Sequence, residues 1–372
     1  MDGLTWYHAD LQLRELRVLD LIDSADMQVD ISDDAELIDN TWSMTLPESV
    51  WKKEPILKGH YIYAPGTEWG GPVTYVKHDT NTRQITVQGP TWRGVLMQKI
   101  IYPPSGQAYL VLEDVDANTA IPTAAGNGLG TLFVVDSDPA GVTVSAQFRY
   151  QLLARGLEKL FRANGLRLAI SFDPSIPAAV LSAVPVQDLT TTVEISQDYG
   201  VNFSSTQGNV EEANHCLALG QGELTDRMVR NVYRVGNTYY SDRPASLPES
   251  ALRTVKLDYP NAETETELIN EAIDRLREKA SVQSIDVDEV TIDLSVDLGD
   301  MISVRDRTTG LAAKTEARKK ILTISQGRTA IALTVAALLE AGSTLVLRIW
   351  GDLVNVTWND AAAYTWGYFI EN

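Results

Sequence analysis

The side chains best equipped for chemistry in this chain are one thiol, Cys216, and four imidazoles, His8, His60, His78 and His215. A single cysteine excludes an intrachain disulfide and a thiolate zinc cage. The histidines fall at neither helical nor zinc-ligand spacing, so they are expected as surface or interface residues rather than ligands. "DVDANT" from Asp114 opens like a calcium loop. Thr119, however, stands where that loop needs its glycine, and Ala125 where it needs a bidentate glutamate. "GNGLG" (126–130) lacks dinucleotide-loop spacing, and "GQGELTDR" (220–227) is too short for a phosphate loop and carries no Lys-Ser/Thr. No Ser, Cys or Thr sits in an elbow with a histidine partner. Carboxylates are so abundant that any chosen pair is uninformative. The expectation is therefore no catalytic residue, no cofactor and no metal.

Composition narrows the class further. At 372 residues the chain is too long for one simple core and suggests two to four modules. Hydrophobic residues make up 44%, enough for well-packed interiors. The net charge of −19 argues against sequence-specific nucleic-acid binding, which needs a basic face, and against docking on an anionic membrane. The start, "MDGLTWYHADLQLREL", has no apolar core of signal-peptide length, and the longest apolar run, Thr329 to Leu339, is too short to span a bilayer. Membrane insertion and export by the usual route are not expected.

The elements that would position any site are mostly strands. "LQLREL" (11–16) alternates, and Met27, Val29 and Ile31 continue in the same rhythm. His60, Ile62 and Ala64 fall on one face of the next strand, and Tyr61 and Tyr63 on the other. Residues 117–130, rich in small side chains, read as a loop. Two helices stand out. Leu153, Leu157, Leu160 and Phe161 form one stripe that stops at Asn164-Gly165. Thr264 and Glu267 form a capping pair ahead of Leu268, Ala272, Leu276 and Ala280. From Val290 to Leu298 apolar residues alternate with Thr291, Asp293, Ser295 and Asp297, which gives an acid-rich face.

The same all-β rhythm occurs twice, over Glu36–Gly94 and over Val290–Leu333. The fold class expected is mainly β with α/β insertions (α+β), built on two similar barrel-like modules. Its segments are 1–105, a first β-barrel module; 106–185, an α/β insertion; 186–280, a β-rich connection with a helix over 264–280; and 281–372, a second barrel module with an aromatic tail.

Several stretches, in order, carry a resemblance: "LKGHYIYAPGTEWGGPVTYVKHDT", "VQGPTWRGVLMQKIIYPP", "FRYQLLARGLEKLFRANGL", "NHCLALGQGELTDRMVRNVY" and "IDLSVDLGDMISVRDRTTGL". Together they resemble the tail-tip hub proteins of long-tailed phages of Gram-positive, particularly actinobacterial, hosts. Those proteins are related in fold to the central baseplate hub of contractile phages. The resemblance implies a structural virion protein in a trimeric ring, with three chains of two modules meeting a hexameric tail tube. It further implies, as neighbours, a distal tail or tail tube protein, a tape measure protein and tip or receptor-binding proteins. It also implies a channel for DNA passage, which Asp293, Asp297 and Asp300 are expected to line with negative charge. Trp350, Trp358 and Trp366, spaced by eight, are the expected docking patch for a neighbour. The alternatives are a tail-associated cell-wall hydrolase, for which a chain stopping at Asn372 leaves no room, and a host-surface carbohydrate-binding tip module suggested by eight Trp and fourteen Tyr.

Overall fold

A computed structural model describes residues 4–33, 35–199, 203–207, 209, 211–236, 238–260, 262, 264–280, 283–291, 296–325 and 327–339. Eight strands open the chain: β1 (Trp6–Ala9), β2 (Glu15–Leu19), β3 (Ser24–Asp30), β4 (Thr41–Pro47), β5 (Tyr61–Tyr63), β6 (Gly70–Pro72), β7 (Tyr75–Asp79) and β8 (Gln84–Pro90). The short helix α1 (Glu48–Lys53) interrupts them after β4. An insertion follows, with α2 (Trp92–Met97), β9 (Ile100–Ile101), β10 (Leu110–Asp116), α3 (Ala117–Ala125), β11 (Phe133–Val135), β12 (Thr143–Phe148), β13 (Gln151–Leu152), α4 (Leu153–Ala163), β14 (Leu166–Asp173) and β15 (Ala178–Pro185). Then come β16 (Glu194–Ile195), β17 (Phe203–Gln207), β18 (His215–Leu219), β19 (Val229–Val235), β20 (Thr238–Tyr240), β21 (Thr254–Asp258) and α5 (Glu265–Glu278). The last strands are β22 (Gln283–Thr291), β23 (Met301–Arg305), β24 (Ala312–Glu316), β25 (Lys319–Ser325) and β26 (Arg328–Leu339).

Two compact units divide the chain. The first comprises residues 4–194, Asp288–Ser303 and Lys314–Val335; the second comprises Ile195–Val287, Val304–Ala313 and the described residues from 336 onward. In the first unit a sheet runs in the order β22-β26-β25-β3-β4-β8-β7. In the second unit β17 pairs with Gln283–Val287 of β22. A separate sheet there, β20-β19-β18-β21, packs on α5 through Cys216, Ala218, Val232, Leu268, Ala272 and Leu276.

The doubled rhythm of the sequence is a doubled topology. β4, β8 and β7 lie side by side in that order, as do β22, β26 and β25. β3 flanks β4, and β17 flanks β22; β5 and β6 form one hairpin, and β23 and β24 another. One backbone device marks both copies. Gly59 donates to Val73 O at 2.8 Å while Val73 donates back to His60 O at 2.7 Å. Gly299 donates to Ala317 O at 2.8 Å while Ala317 donates to Asp300 O at 2.9 Å. Both glycines have φ of 92°, where an L side chain is strained.

Neither module closes into a barrel among the described residues, contrary to the expectation from sequence. The reason is edge chemistry. Closure needs a module's first and last strands to pair with each other. Here β25 commits that edge to β3, in seven consecutive antiparallel pairs from Lys319↔Asp30 to Ser325↔Ser24. Two smaller corrections are local. Residues 11–13 form a turn, because Asp10 Oδ1 accepts from the backbone N–H of Gln12 at 2.8 Å and of Arg14 at 3.0 Å; the strand is the hairpin partner β2. The stretch 117–130 begins as helix α3, capped by Asp116, whose side chain accepts from Asn118 N. Its alanines are good helix formers, and Ala117, Ala120, Ile121 and Ala124 are buried. The two helices expected from periodicity form as α4 and α5, with Thr264 capping α5 through Glu267 N.

Strand β5 separates two cores. Ile62 and Ala64 join Met27, Trp42, Met44 and Leu46 on one side, and Tyr63 joins Trp92, Phe161 and Phe172 on the other. A ring stack crosses that second core: Tyr7–Tyr63 at 5.7 Å, Tyr63–Phe172 at 4.0 Å and Phe172–Trp92 at 5.3 Å. It joins β1 and β5 to α2 and to β14 of the insertion. Phe172 is fully buried, so Phe172→Ala is expected to cost about 3–5 kcal/mol. A urea-unfolding series on the full chain reads this as a lower midpoint.

Candidate functional site

The "GPTWRG" run (89–94) shows why its residue types are needed. Gly89 faces Pro72 O so closely that a Cβ would stand 1.8 Å from it, and Gly94 faces Asn40 O, where a Cβ would stand at 2.2 Å. Thr91 caps α2 by accepting from Gly94 N at 3.2 Å, and Trp92 is fully buried. Arg93, only 2% exposed, is the one member able to do chemistry, and both of its terminal nitrogens are engaged. It donates to Glu158 Oε1 at 2.6 Å, to Glu68 Oε2 at 3.1 Å and to Leu168 O at 3.0 Å. Burial opposes the guanidinium charge, but the Glu68 and Glu158 carboxylates outweigh it and hold the pKa above the ordinary arginine value.

Further charges continue this cluster. Arg162 of α4 donates to Asp33 Oδ1 at 2.9 Å, to Glu316 Oε1 at 3.1 Å and to Ile31 O at 3.0 Å. Arg167 of β14 donates to Asp297 Oδ2 at 3.0 Å and lies 3.2 Å from Asp300 Oδ1. The space these groups enclose is about 10 Å³. That is room for a water molecule, not an organic ligand. The arrangement fastens the insertion to both repeats; it presents no substrate cavity.

The acidic candidates separate here. Asp297 is exposed, but its charge is shared by Arg167 and by Lys320 Nζ at 3.2 Å. Asp300 is buried; its carboxylate accepts from Asp297 N at 2.9 Å and Gln187 N at 3.1 Å. It therefore closes the turn after Val296–Leu298 and shows no charge at the surface, which corrects the expectation of a channel-lining acid. Asp293 lies outside the described residues, as do Trp350, Trp358 and Trp366.

The histidines are also corrected, since three of the four are buried: His8, His60 and His215. His8 Nε2 lies 2.8 Å from His60 Nδ1. His215 stacks on Tyr233 at 4.5 Å and hydrogen-bonds Thr254 Oγ1 and Asn231 Oδ1. Cys216 is buried, and burial raises its thiol to about 11, so it is no nucleophile at neutral pH. Asp116, from the discarded calcium-like stretch, caps α3 and accepts from Ala140 N and Gly141 N. In the second unit Asp306 gathers Gln197 Nε2, Ser205 Oγ, Thr309 Oγ1 and Thr308 N. The Ser205 bond leads in holding its carboxyl well below the usual range, although burial opposes it.

The remaining functional features are edges. Among the described residues β7 is the last strand of its sheet, with β8 on one side only, and β17 has β22 on one side only. A strand edge with free N–H and C=O groups is a pairing site. Sequence periodicity locates strands but not their neighbours, which is why these edges escape a reading of the sequence.

No known protein family and no curated protein matches this chain in sequence. Solved structures do match in fold. A chain of the phage P2 baseplate, in its activated conformation with Ca, aligns at a TM-score of 0.50 and 11% identity, covering 92% of this chain and 100% of that one. The 43 kDa tail protein of prophage MuSo2 from Shewanella oneidensis aligns at 0.47 and 13% identity, covering 89% and 98%. Prophage tail protein gp18 from Listeria monocytogenes EGD-e aligns at 0.47 and 10% identity, covering 89% and 94%. The P2 likeness extends over nearly the whole of both chains, and this chain has the fold of that baseplate protein.

Two outcomes test the buried polar groups. Arg93→Met leaves two carboxylates facing a buried apolar stem and is expected to cost about 3–5 kcal/mol in chemical denaturation. His8 titrates near 4 rather than 6.5, because burial, then the charges of His60 and Arg17, disfavour its cation, while Asp10 opposes them. Its folded pKa lies below its unfolded one, so the unfolded chain takes up the proton first. The contribution is complete above pH 6.5 and is lost as pH falls towards 4. Urea midpoints of the wild type should fall across that window, and His8→Gln should flatten the fall.

Proposed function

We propose that this chain is a structural hub subunit at the distal end of a phage or phage-like tail. Three copies close a ring that adapts a hexameric tail tube to threefold tip components and lets DNA pass. One observation carries the reading: each chain contains two copies of one strand arrangement, already joined to each other through β25 and β3. In the repeat, β7 corresponds to β25 and β17 to β3. The edges of one copy that are unpaired among the described residues are thus the counterparts of the pair joined inside the chain. Setting β7 of one copy against β17 of the next would repeat that ladder between chains. Three chains with two repeats each then present six similar elements to the tube.

Such a ring needs a different patch on each side of the subunit, which two unlike edges supply. Lys77 and Asp79 on β7 suit an edge that stays soluble until it is covered. The fold shared with the P2 baseplate chain supports a tail role. A tail tube protein, a tape measure protein and tip or receptor-binding proteins are the neighbours this role calls for, in a virion infecting a Gram-positive, actinobacterial host. An acidic channel, which would keep DNA phosphates from sticking, now rests on the net charge of −19 rather than on Asp297 and Asp300. An assembled ring with a basic channel would reject that part.

The edge reading is tested with Lys77→Cys combined with Ser204→Cys. Both positions are exposed, while the native Cys216 is buried. Oxidation of the double variant should give covalent trimers on a non-reducing gel, alongside a wild-type mass three times that of the chain at high concentration. Crosslinked species that continue past the trimer, or none at all, would overturn the ring.

A further inference from the structure

Two features of the surface take no part in the edges. In the insertion, Leu152 of β13 lies opposite Ile100 of β9, and both are exposed. Beside them Tyr102 and Tyr150, each 64% exposed, meet edge to face at 6.1 Å. The Arg149 guanidinium sits 5.9 Å from the Tyr150 ring centroid and 5.8 Å from that of Tyr109, also exposed. No carboxylate pairs with Arg149 among the described residues. Tyr150 has φ of 51°, a strained backbone for a bulky residue, held where its ring faces solvent. Tyrosine and arginine over apolar neighbours is the composition of an interface hot spot.

The second feature is the loop between β18 and β19. Leu224 stands at its tip, 94% exposed, with φ of 52°. One exposed leucine is ordinary; one held at positive φ by a braced loop is not. Gly220 N donates to Met228 O at 2.8 Å, and Met228 N to Gln221 O at 2.9 Å. Gly222, at φ of 105°, lets Asp226 O approach to where a Cβ would stand 2.5 Å away. Arg227 ties the base by donating to Gly220 O at 3.1 Å and pairing with Asp258. This explains the "GQGELTDR" glycines and arginine as a frame for the leucine. Glu223 and Asp226 flank it, exposed, with no cation paired to either among the described residues.

We infer that the Tyr102–Tyr150 patch is the docking face for the Leu224 loop of a second copy of this chain. An apolar knob rimmed by two unpaired carboxylates complements an apolar, aromatic floor centred on an unpaired guanidinium. Because the two surfaces differ, the contact is head-to-tail, the kind that closes a ring. The inference rests on the reading that copies of this chain assemble, and adds a contact separate from the strand edges.

Sedimentation of the full chain over a concentration series tests it, with three variants. Leu224→Gly removes the knob and also relieves the positive φ, so its melting temperature should hold or rise while self-association weakens about tenfold or more. Arg149→Glu and Glu223→Arg should each weaken association similarly, and their combination should restore it to within a few-fold of wild type. Variants that associate like wild type, a swap that restores nothing, or a wild type monomeric at its highest soluble concentration would each overturn the contact. So would Tyr150→Gly losing binding to host cell-wall glycan at unchanged mass, which would assign the patch to sugar. The disulfide crosslink between positions 77 and 204 in the K77C/S204C variant separates the two readings. If it forms equally in the Leu224→Gly background and mass is unchanged, the ring stands and this contact falls. If it never forms but the charge-swap pattern holds, the contact stands and the ring falls.

Discussion

The ladder between β3 and β25 is the constraint from which the rest of the first unit follows. Strands from opposite ends of the chain pair without a break from Ser24↔Ser325 to Asp30↔Lys319. Their inward side chains, Ala25, Met27 and Val29 from one and Leu322 and Ile324 from the other, enter a single core with Trp42, Met44 and Leu46. Each repeat therefore gives to the other the edge that would have closed it into a barrel. Register admits no slip here, because a shift of one residue would turn Met27 and Leu322 to solvent together.

The insertion is held by two different kinds of force at one boundary. The stack from Tyr7 through Tyr63 and Phe172 to Trp92 is apolar, and its energy scales with area removed from water. The arginines beside it contribute direction more than energy. A buried ion pair gains little over a packed hydrophobic alternative, yet a misplaced partner is costly. Arg93, Arg162 and Arg167 each meet carboxylates from a different segment: Glu68 and Glu158, Asp33 and Glu316, Asp297 and Asp300. The aromatic stack makes docking favourable, and the arginines leave it a single orientation.

What the sequence disclosed was whatever is periodic and local. The stripe Leu153, Leu157, Leu160, Phe161 and the Thr264 cap are complete within one turn or two of chain, and both helices form as read. The repeat was legible because Gly59 and Gly299 answer to one backbone requirement. Helix α3 was hidden, since alanines give no contrast between faces and Pro122 reads as a breaker. The histidines were misjudged because burial depends on the partner strand: His8 and His60 lie 52 residues apart and meet only through the pairing of β1 with β5. Tyr102 and Tyr150 are a comparable case on the surface, brought together by β9 and β13.

The two repeats share a backbone but have diverged where each meets its surroundings. The slot after the marker glycine holds His60 in one and Asp300 in the other. In the first repeat the imidazole turns to His8, within the same module. In the second the carboxylate turns to Arg167, outside it. A duplicated fold with identical side chains would join its two copies indifferently. Divergence at this slot makes the first repeat self-contained and the second dependent on the insertion, so the pair has a fixed sense along the chain.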